Sequence, residues 1–440
     1  MDTLISVGAI VAAIILKLVF FLVTSRILLK RAPKKSEPYQ VISKGSNVER
    51  SAKRILVTGG CGFLGSAIVR QLHERLGSRV SLVVLDTAIH AKFSPLLPSA
   101  TYIRGDVCTY SHVRAASAGC ACVVHSAGLL HSCLSDEAAF ERVNFLGSRN
   151  VVEACLEGDL VALVYTSSGS VVFNDSIARA AGGGGSLAPI PESTAALPAA
   201  QLNGAYARSK AAAERRVLAA NSHALHVVAL RPGGVYGVGD TTLTGNILAG
   251  KPYVGPGDVQ VPFVWVEDAA RAHVDAVERL LFPQPGAPRI HGRAYHLAHD
   301  PVSDPLLYRE FVGGPLVTPA DRKSAEVRAA EAAAGVQDPL SAGVNAYGLR
   351  CNSPVPLPLI RVLAAVNEWV GRRFGVALLH PSMTPENMRY ATNHWPLDVG
   401  EARRLLGWQP TPWRVVVARL GAQARAGKEE GGKGMKDKAA

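Results

Sequence analysis

The stretch that most constrains this 440-residue chain is Arg54-Ile55-Leu56-Val57-Thr58 followed by Gly59-Gly60-Cys61-Gly62-Phe63-Leu64-Gly65. The first five residues form a short apolar, β-branched run, suited to a strand covered on both faces. Glycines follow at once, and from Leu64 to Leu76 apolar residues recur at helical spacing. A strand that turns through glycines into a helix offers free amides and a positive helix end to an anion. In dinucleotide sites such glycines give a tight turn, close approach of the pyrophosphate and close helix–strand packing. The spacing here is Gly59-x-x-Gly62-x-x-Gly65, and a glycine triplet by itself also suits an ordinary turn.

The next segments narrow the choice. Arg79 to Leu85 reads as a second strand, ending at Asp86. An acid about twenty residues beyond the glycines can accept hydrogen bonds from the adenosine ribose and repel a 2′-phosphate, which favours NAD over NADP. The same aspartate could instead cap a helix. Thr101 to Ile103 leads into Gly105-Asp106-Val107, Ala121 to His125 into Ser126-Ala127-Gly128, and Val161 to Tyr165 into Thr166-Ser167-Ser168. Helical patterns lie between, Glu137 to Leu156 among them. This alternation predicts an α/β fold built on a doubly wound parallel sheet, the Rossmann arrangement. Ligands of such sheets lie outside the carboxyl ends of the strands. The expected cofactor-binding residues are therefore Gly59, Gly62, Phe63, Leu64, Gly65, Asp86, Asp106, Val107, Ser126, Ala127 and Gly128.

Farther on, Tyr206-Ala207-Arg208-Ser209-Lys210 sets a phenol and an ammonium four residues apart, on one face of a helix. Taking a hydride from an alcohol requires a base for the hydroxyl proton. A phenol, with a pKa of about 10, is a poor base unless a nearby cation favours the phenolate. Alone, a Y-x-x-x-K pair suits a surface helix equally well; below a glycine turn and a parallel sheet it predicts redox catalysis on an alcohol or ketone.

At this point the chain resembles the extended short-chain dehydrogenase/reductases, and more narrowly the 3β-hydroxysteroid dehydrogenase and sterol-4α-carboxylate 3-dehydrogenase (decarboxylating) family. The resemblance is carried by Ile55 to Gly65, Val143 to Val151, Tyr165 to Phe173, Tyr206 to Glu214, Leu230 to Gly237, Val264 to His273, Gly292 to Ala298 and Leu406 to Pro410. It implies Ser168, Tyr206 and Lys210 as catalytic residues, with Ser167 the alternative to Ser168. It implies Tyr206, Lys210 and Pro232 as further contacts of NAD, and Asn144 as a structural position beside the site. The implied reaction is oxidation of a 3β-hydroxysterol to the 3-ketone, with loss of a 4α-carboxylate where one is present. Two departures bear on substrate class. Ala180 to Ser186 is a glycine-rich insertion before Tyr206, and Arg322 to Val344 matches no familiar stretch.

Leu4 to Val23 is nearly all apolar and about long enough to cross a bilayer as a helix. Arg26, Lys30, Arg31, Lys34 and Lys35 follow it, and positive flanking charge marks the cytoplasmic side. The expectation is an uncleaved single-pass anchor contacting membrane lipid in the endoplasmic reticulum, with a cytosolic catalytic domain. The net charge of +12 is partly concentrated in this linker and in the tail after Gly427, and no nucleic-acid recognition motif accompanies it. The seven scattered cysteines suit buried thiols in a reducing compartment. The thirteen histidines form no metal-binding pattern, so no metal is expected.

The predicted organisation is an anchor at 1–25, a basic linker at 26–52, an NAD-binding Rossmann domain at 53–235, a smaller substrate lobe interleaved with it at 236–415, and a basic tail at 416–440. Leu359 to Val370 carries an apolar stripe that suits core packing, with a bilayer-surface helix as the alternative. A homodimer or a complex of sterol enzymes is the expected assembly. Two other functions fit parts of the pattern: an enzyme of the same superfamily acting on a sugar nucleotide or another small metabolite, and a membrane-tethered NAD-binding module without catalysis.

Overall fold

The computed structural model describes residues 38–43, 45, 52–132, 134–174, 176–177, 188–240, 243–244, 253–254, 259–303, 306, 354–355 and 357–420. The apolar stretch at 4–23, the glycine-rich insertion and the 322–344 segment lie outside them.

An eight-stranded sheet organises the molecule in the order β1-β4-β3-β2-β5-β6-β7-β11. Its strands are β1 (Gln40–Ser43), β2 (Lys53–Thr58), β3 (Val80–Asp86), β4 (Thr101–Arg104), β5 (Cys122–His125), β6 (Ala162–Thr166), β7 (His226–Pro232) and β11 (Arg293–Leu297). All neighbours pair in parallel except β1, which closes the β4 edge antiparallel, Gln40 opposite Arg104.

Successive strand residues point to opposite faces, and both faces are covered. Ile55, Val57, Val84, Val124 and Val164 join one buried layer with helices α1 (Phe63–Leu76) and α6 (Val266–Leu281). Leu56, Val83, Val123, Leu163 and Ala229 join the other, against α2 (Tyr110–Ser117), α4 (Gly147–Glu157) and α5 (Ala205–Leu218). This two-sided burial is why the strands read as continuous apolar runs rather than alternating ones. Helix α6 is the returning sheet helix expected from His273 to Leu281. Its alanines at 269, 270 and 276 are buried against the layer that also contains Ala67 and Ile68 of α1.

The helix expected from Glu137 to Leu156 forms as α3 (Glu137–Phe140), a π turn over Glu141–Leu146, and α4. A wider turn of this kind often marks a functional site, and it carries Asn144.

The smaller lobe draws on β8 (Gly234–Tyr236), β9 (Tyr253–Val254), β10 (Phe263–Trp265), β12 (Pro354–Val355), α7 (Leu357–Phe374) and α8 (Pro385–Thr392). β8 pairs with β10, and β9 with β12. Tyr236, Val261, Leu306, Trp413 and Val416 form its own core. Helix α7 buries Ile360, Ala364, Asn367 and Val370 and leaves Val362 and Trp369 about 60% exposed, so it has one core face and one apolar-bearing outer face.

Two sequence boundaries move. Gln40–Ser43, read as linker, is a sheet strand because its backbone completes the β4 edge. Residues 416–420, read as tail, lie in a helix at 413–420 that buries Val416, Val417 and Leu420. Among the described residues no helix is long and apolar enough to cross a membrane. Cys61, Cys108, Cys120, Cys122 and Cys155 are free thiols.

Candidate active site

The carboxyl ends of β2 to β7 all open on one side of the sheet, and the predicted site residues collect there. Gly59 adopts φ +69°, and a Cβ on it would fall 2.7 Å from Ala127 Cα; a Cβ on Gly65 would fall 2.0 Å from the Gly59 carbonyl oxygen. The turn is therefore closed to any larger residue and brings α1 hard against the strand. Gly62 caps α1 without a side-chain hydrogen bond, and the first turn holds no acid. Its amides and helix dipole are thus available to a phosphate beside Phe63 and Leu64. Asp86 stands at the end of β3, where Oδ2 accepts from the Cys61 amide at 3.0 Å and Oδ1 from the Ala88 amide at 3.2 Å. A shallow cleft opens beside Gly60 and Cys61, walled by His90, Leu97 and Tyr102. Closed glycines, an uncapped helix end and a partly exposed acid together fit a dinucleotide.

The middle of the sheet edge is held by backbone. Asp106 turns the chain after β4 by accepting from the Cys108 amide at 2.9 Å, and the Val107 carbonyl accepts from Asn150 at 2.8 Å. The Ser126 and Ala127 amides return to Thr58 at 3.2 and 3.3 Å. Gly128 lies between Asn144 and the Lys210 ammonium. Pro232 ends β7 opposite Leu297.

Tyr206 and Lys210 lie on the inner face of α5, 7% and 5% exposed. Burial pushes the Tyr206 phenol up to about 12; a hydrogen bond with the Ser168 side chain opposes this, and the charge of Glu386 adds to it. The Lys210 ammonium does not bring the phenol down as its spacing suggested. Its Nζ donates to the Thr166 carbonyl at 2.6 Å and stands 4.4 Å from the Tyr165 ring centre. Burial lowers the Lys210 pKa to about 7, with Glu214 opposing. Desolvation, which spacing does not report, decides both pKa values.

Of the two serines, only Ser168 faces Tyr206. Ser167 donates to Glu214 Oε2 at 2.6 Å, inside a buried network in which Arg231 clamps both Glu214 oxygens at 2.9 and 2.6 Å. Asn144 takes its structural position by pairing with both backbone groups of Leu129, at 2.7 and 3.1 Å, and donating to Ser209 at 3.0 Å. Ser209 in turn donates to the Tyr206 carbonyl at 2.8 Å. The loop after β5 is thereby tied to the helix that carries Tyr206.

Four residues at the site had drawn no attention in the sequence. His125 is wholly buried, bridging Thr58 at 2.7 Å and Ser148 at 3.0 Å, and burial lowers its pKa to about 3, so it is neutral. His131 lies against the Tyr206 ring with centroids 3.9 Å apart. Glu386, from the first turn of α8, approaches His131 Nδ1 at 3.3 Å, and Tyr390 donates to it at 3.3 Å. Thr384 caps α8 and Pro385 opens it, a readable helix start, but no local signal tells that this helix end reaches Tyr206.

Residues 56–314 match the model of the 3-beta hydroxysteroid dehydrogenase/isomerase family. The chain is 35% identical over 243 residues to sterol-4-alpha-carboxylate 3-dehydrogenase erg26, decarboxylating, of Schizosaccharomyces pombe, covering 52% of this chain and 65% of that one, just under two thirds of its length. It is 33% identical over 270 residues to the Mus musculus sterol-4-alpha-carboxylate 3-dehydrogenase, decarboxylating, covering 59% and 67%. It is also 35% identical over 266 residues to a 2-alkyl-3-oxoalkanoate reductase of Stenotrophomonas maltophilia, covering 59% and 73%. Among solved structures, DesIV, a dTDP-glucose 4,6-dehydratase from Streptomyces venezuelae with NAD and TYD bound, superposes with a TM-score of 0.56 at 20% identity, covering 85% of this chain and 98% of that one. At that identity the likeness concerns the fold.

Proposed function

The chain belongs to the 3-beta hydroxysteroid dehydrogenase/isomerase family, and on that premise we propose that it is an NAD-dependent oxidoreductase that converts a 3β-hydroxysterol to the 3-ketone, with a 4α-carboxysterol as the first candidate substrate. The observation that carries this reading is the convergence of Ser168, Tyr206 and Lys210 at the strand ends, beside the closed glycine turn. When bound there, NAD supplies the hydride acceptor. The glycine turn and the α1 end hold its phosphates, and Asp86 holds the adenosine ribose. Ser168 positions the substrate oxygen, and Tyr206 takes the hydroxyl proton. Lys210, one turn along the helix, holds the nicotinamide ribose.

The relatives support the carboxylated substrate on chemical grounds. A sterol-4-alpha-carboxylate 3-dehydrogenase and a 2-alkyl-3-oxoalkanoate reductase both handle an oxygen-bearing carbon next to a carbon that carries a carboxylate. Oxidation there yields a β-keto acid, which loses carbon dioxide because the electrons left behind enter the carbonyl as an enolate. The bacterial relative also favours a second reading, reduction of a smaller 3-oxo acid. Purified protein given NAD and a 4α-carboxysterol should form NADH and carbon dioxide in equal amounts. NADH alone would leave a simple dehydrogenase. Neither product, together with consumption of NADH on a 2-alkyl-3-oxo acid, would favour the second reading.

We further propose that Leu4 to Val23 anchors the chain in the endoplasmic reticulum membrane with its catalytic domain in the cytosol. The basic residues that follow it support this orientation. Protease added to sealed microsomes should digest the domain; full protection would reverse the orientation.

A further inference from the structure

His125 ends β5 with no exposed surface. One ring nitrogen meets Thr58, the last residue before the glycine turn, and the other meets Ser148, in the first turn of α4. Donor counting fixes the direction of each bond. Ser148 Oγ lies 2.6 Å from the Asn144 carbonyl oxygen, which can only accept, so the single hydroxyl proton of Ser148 points there. The 3.0 Å contact between Ser148 Oγ and His125 Nε2 must then take its proton from the ring. A neutral imidazole carries one such proton, so Nδ1 is bare and accepts from Thr58 Oγ1 at 2.7 Å. Thr58 Oγ1 keeps a lone pair for the Ala127 amide, at 3.3 Å. A charged ring would also turn a proton on Thr58 and take away the acceptor of its hydroxyl. Burial, with the charge of Lys210 adding to it, keeps the ring neutral.

The bonds continue beyond Asn144. Its Nδ2 donates to Ser209 Oγ at 3.0 Å, and Ser209 Oγ donates to the Tyr206 carbonyl at 2.8 Å. The His125 ring also stacks on Tyr165, with centres 5.6 Å apart, and the Lys210 ammonium stands 4.4 Å from that same Tyr165 ring. On the opposite side, Ala127 is the residue against which the Gly59 turn closes. The imidazole therefore reaches the glycine turn through Thr58, and the Tyr206–Lys210 helix through Ser148 and Tyr165.

We propose that His125 is a positioning residue: as its Nε2–H tautomer it sets the helix of Tyr206 and Lys210 against the turn that holds NAD. This rests on the dehydrogenase reading above. His125 acts through Thr58 and Ser148 and touches neither substrate nor cofactor. Its two nitrogens serve different ends of the site. The Nδ1 bond steadies the Thr58–Ala127 side, where the glycine turn closes, and so bears on NAD affinity. The Nε2 bond steadies the Ser148–Asn144–Ser209 side and so bears on the placement of Tyr206. A small misplacement of a reacting group lowers turnover without weakening binding.

Asparagine and glutamine divide the two bonds. The shorter amide reaches the place of Nδ1 and can accept from Thr58; the longer one reaches the place of Nε2 and can donate to Ser148. With a 3β-hydroxysterol and NAD, His125→Asn should lose about tenfold or more in kcat while the Kd for NAD, measured by calorimetry, stays within about twofold. His125→Gln should recover most of that kcat but bind NAD several-fold more weakly. Ser148→Ala cuts the Nε2 link without touching the ring; it should match His125→Asn and carries the test if either change at 125 fails to fold. In wild-type protein labelled with 15N-histidine, the ring whose signals shift in Ser148→Ala should be protonated at Nε2 and bare at Nδ1 at pH 7. A proton on Nδ1, kcat and Kd moving together in every variant, or an unchanged kcat in both His125→Asn and Ser148→Ala overturns the assignment while the dehydrogenase reading stands. A wild type that forms no NADH from any 3β-hydroxysterol overturns that reading and the positioning role with it.

Discussion

Replacing Lys210 should strengthen the fold while ending the proposed chemistry. Its ammonium is 5% exposed and bonded to one backbone carbonyl, and burial lowers its pKa from 10.5 to about 7 against the pull of Glu214. In the unfolded chain a lysine titrates near 10.4. Between these values the unfolded chain holds a proton that the folded chain has released. Stability therefore rises with pH from about 7 to about 10.5, and the lysine contributes no slope outside that window. At 1.36 kcal/mol for each tenfold difference, carrying Lys210 costs roughly 4 kcal/mol at pH 7 and roughly 2 at pH 9. Lys210→Met removes the titration and keeps an unbranched chain in the same space. In urea unfolding of NAD-free protein, the wild type should gain about 2 kcal/mol more than the variant on going from pH 7 to pH 9. The variant should also be the more stable protein at pH 7. Every other titrating group is shared and cancels in the comparison. A variant whose pH slope matches the wild type would refute the assignment of Lys210 as a buried amine that folding deprotonates.

Tyr206→Phe keeps the ring against His131 and Phe140 and loses only the hydroxyl; turnover should fall by roughly a hundred- to ten-thousand-fold while NAD still binds, and a near-normal rate would remove Tyr206 from the chemistry. Asp86→Asn should narrow the preference for NAD over NADP in competitive binding, and tighter NADP binding by the unmodified protein would show that Asp86 does not read the ribose. Glu214→Gln leaves Arg231 buried without its counter-charge, which should cost about 3–5 kcal/mol in urea unfolding; a loss under about 1 kcal/mol would mean that the carbonyl of Thr194 and its neighbours suffice for the guanidinium.

What could be read from the sequence was whatever a short stretch fixes by itself. Ile55, Leu56 and Val57 declare a doubly covered strand because each needs burial and successive residues face opposite ways. Gly59, Gly62 and Gly65 declare a turn that excludes side chains, and Tyr206 and Lys210 declare a shared helix face. The hidden features all depend on contacts made across long stretches of chain. Glu386 meets the helix of Tyr206 179 residues away in sequence. β1 joins the sheet because β4 offers it an open edge, and Gln40–Ser43 shows no alternating apolar pattern, its Val41 and Ile42 both staying exposed. The pKa values of Tyr206 and Lys210 are set by how much water the finished fold excludes, a quantity no spacing encodes.

That exclusion also gives the site its resting state. Burial raises the Tyr206 phenol, lowers the Lys210 amine and neutralises His125, so three groups at the strand ends are all pushed toward their uncharged forms. Beneath them Glu214 and Arg231 are buried as a pair, and Ser167 and the Thr194 carbonyl take the remaining bonds. A phenol held near 12 becomes a base only if its phenolate is stabilised, yet the charge of Glu386, whose pKa is lowered although the group is mostly buried, pushes that phenol further up. Protonation of Glu386 cancels that charge and eases formation of the phenolate at Tyr206.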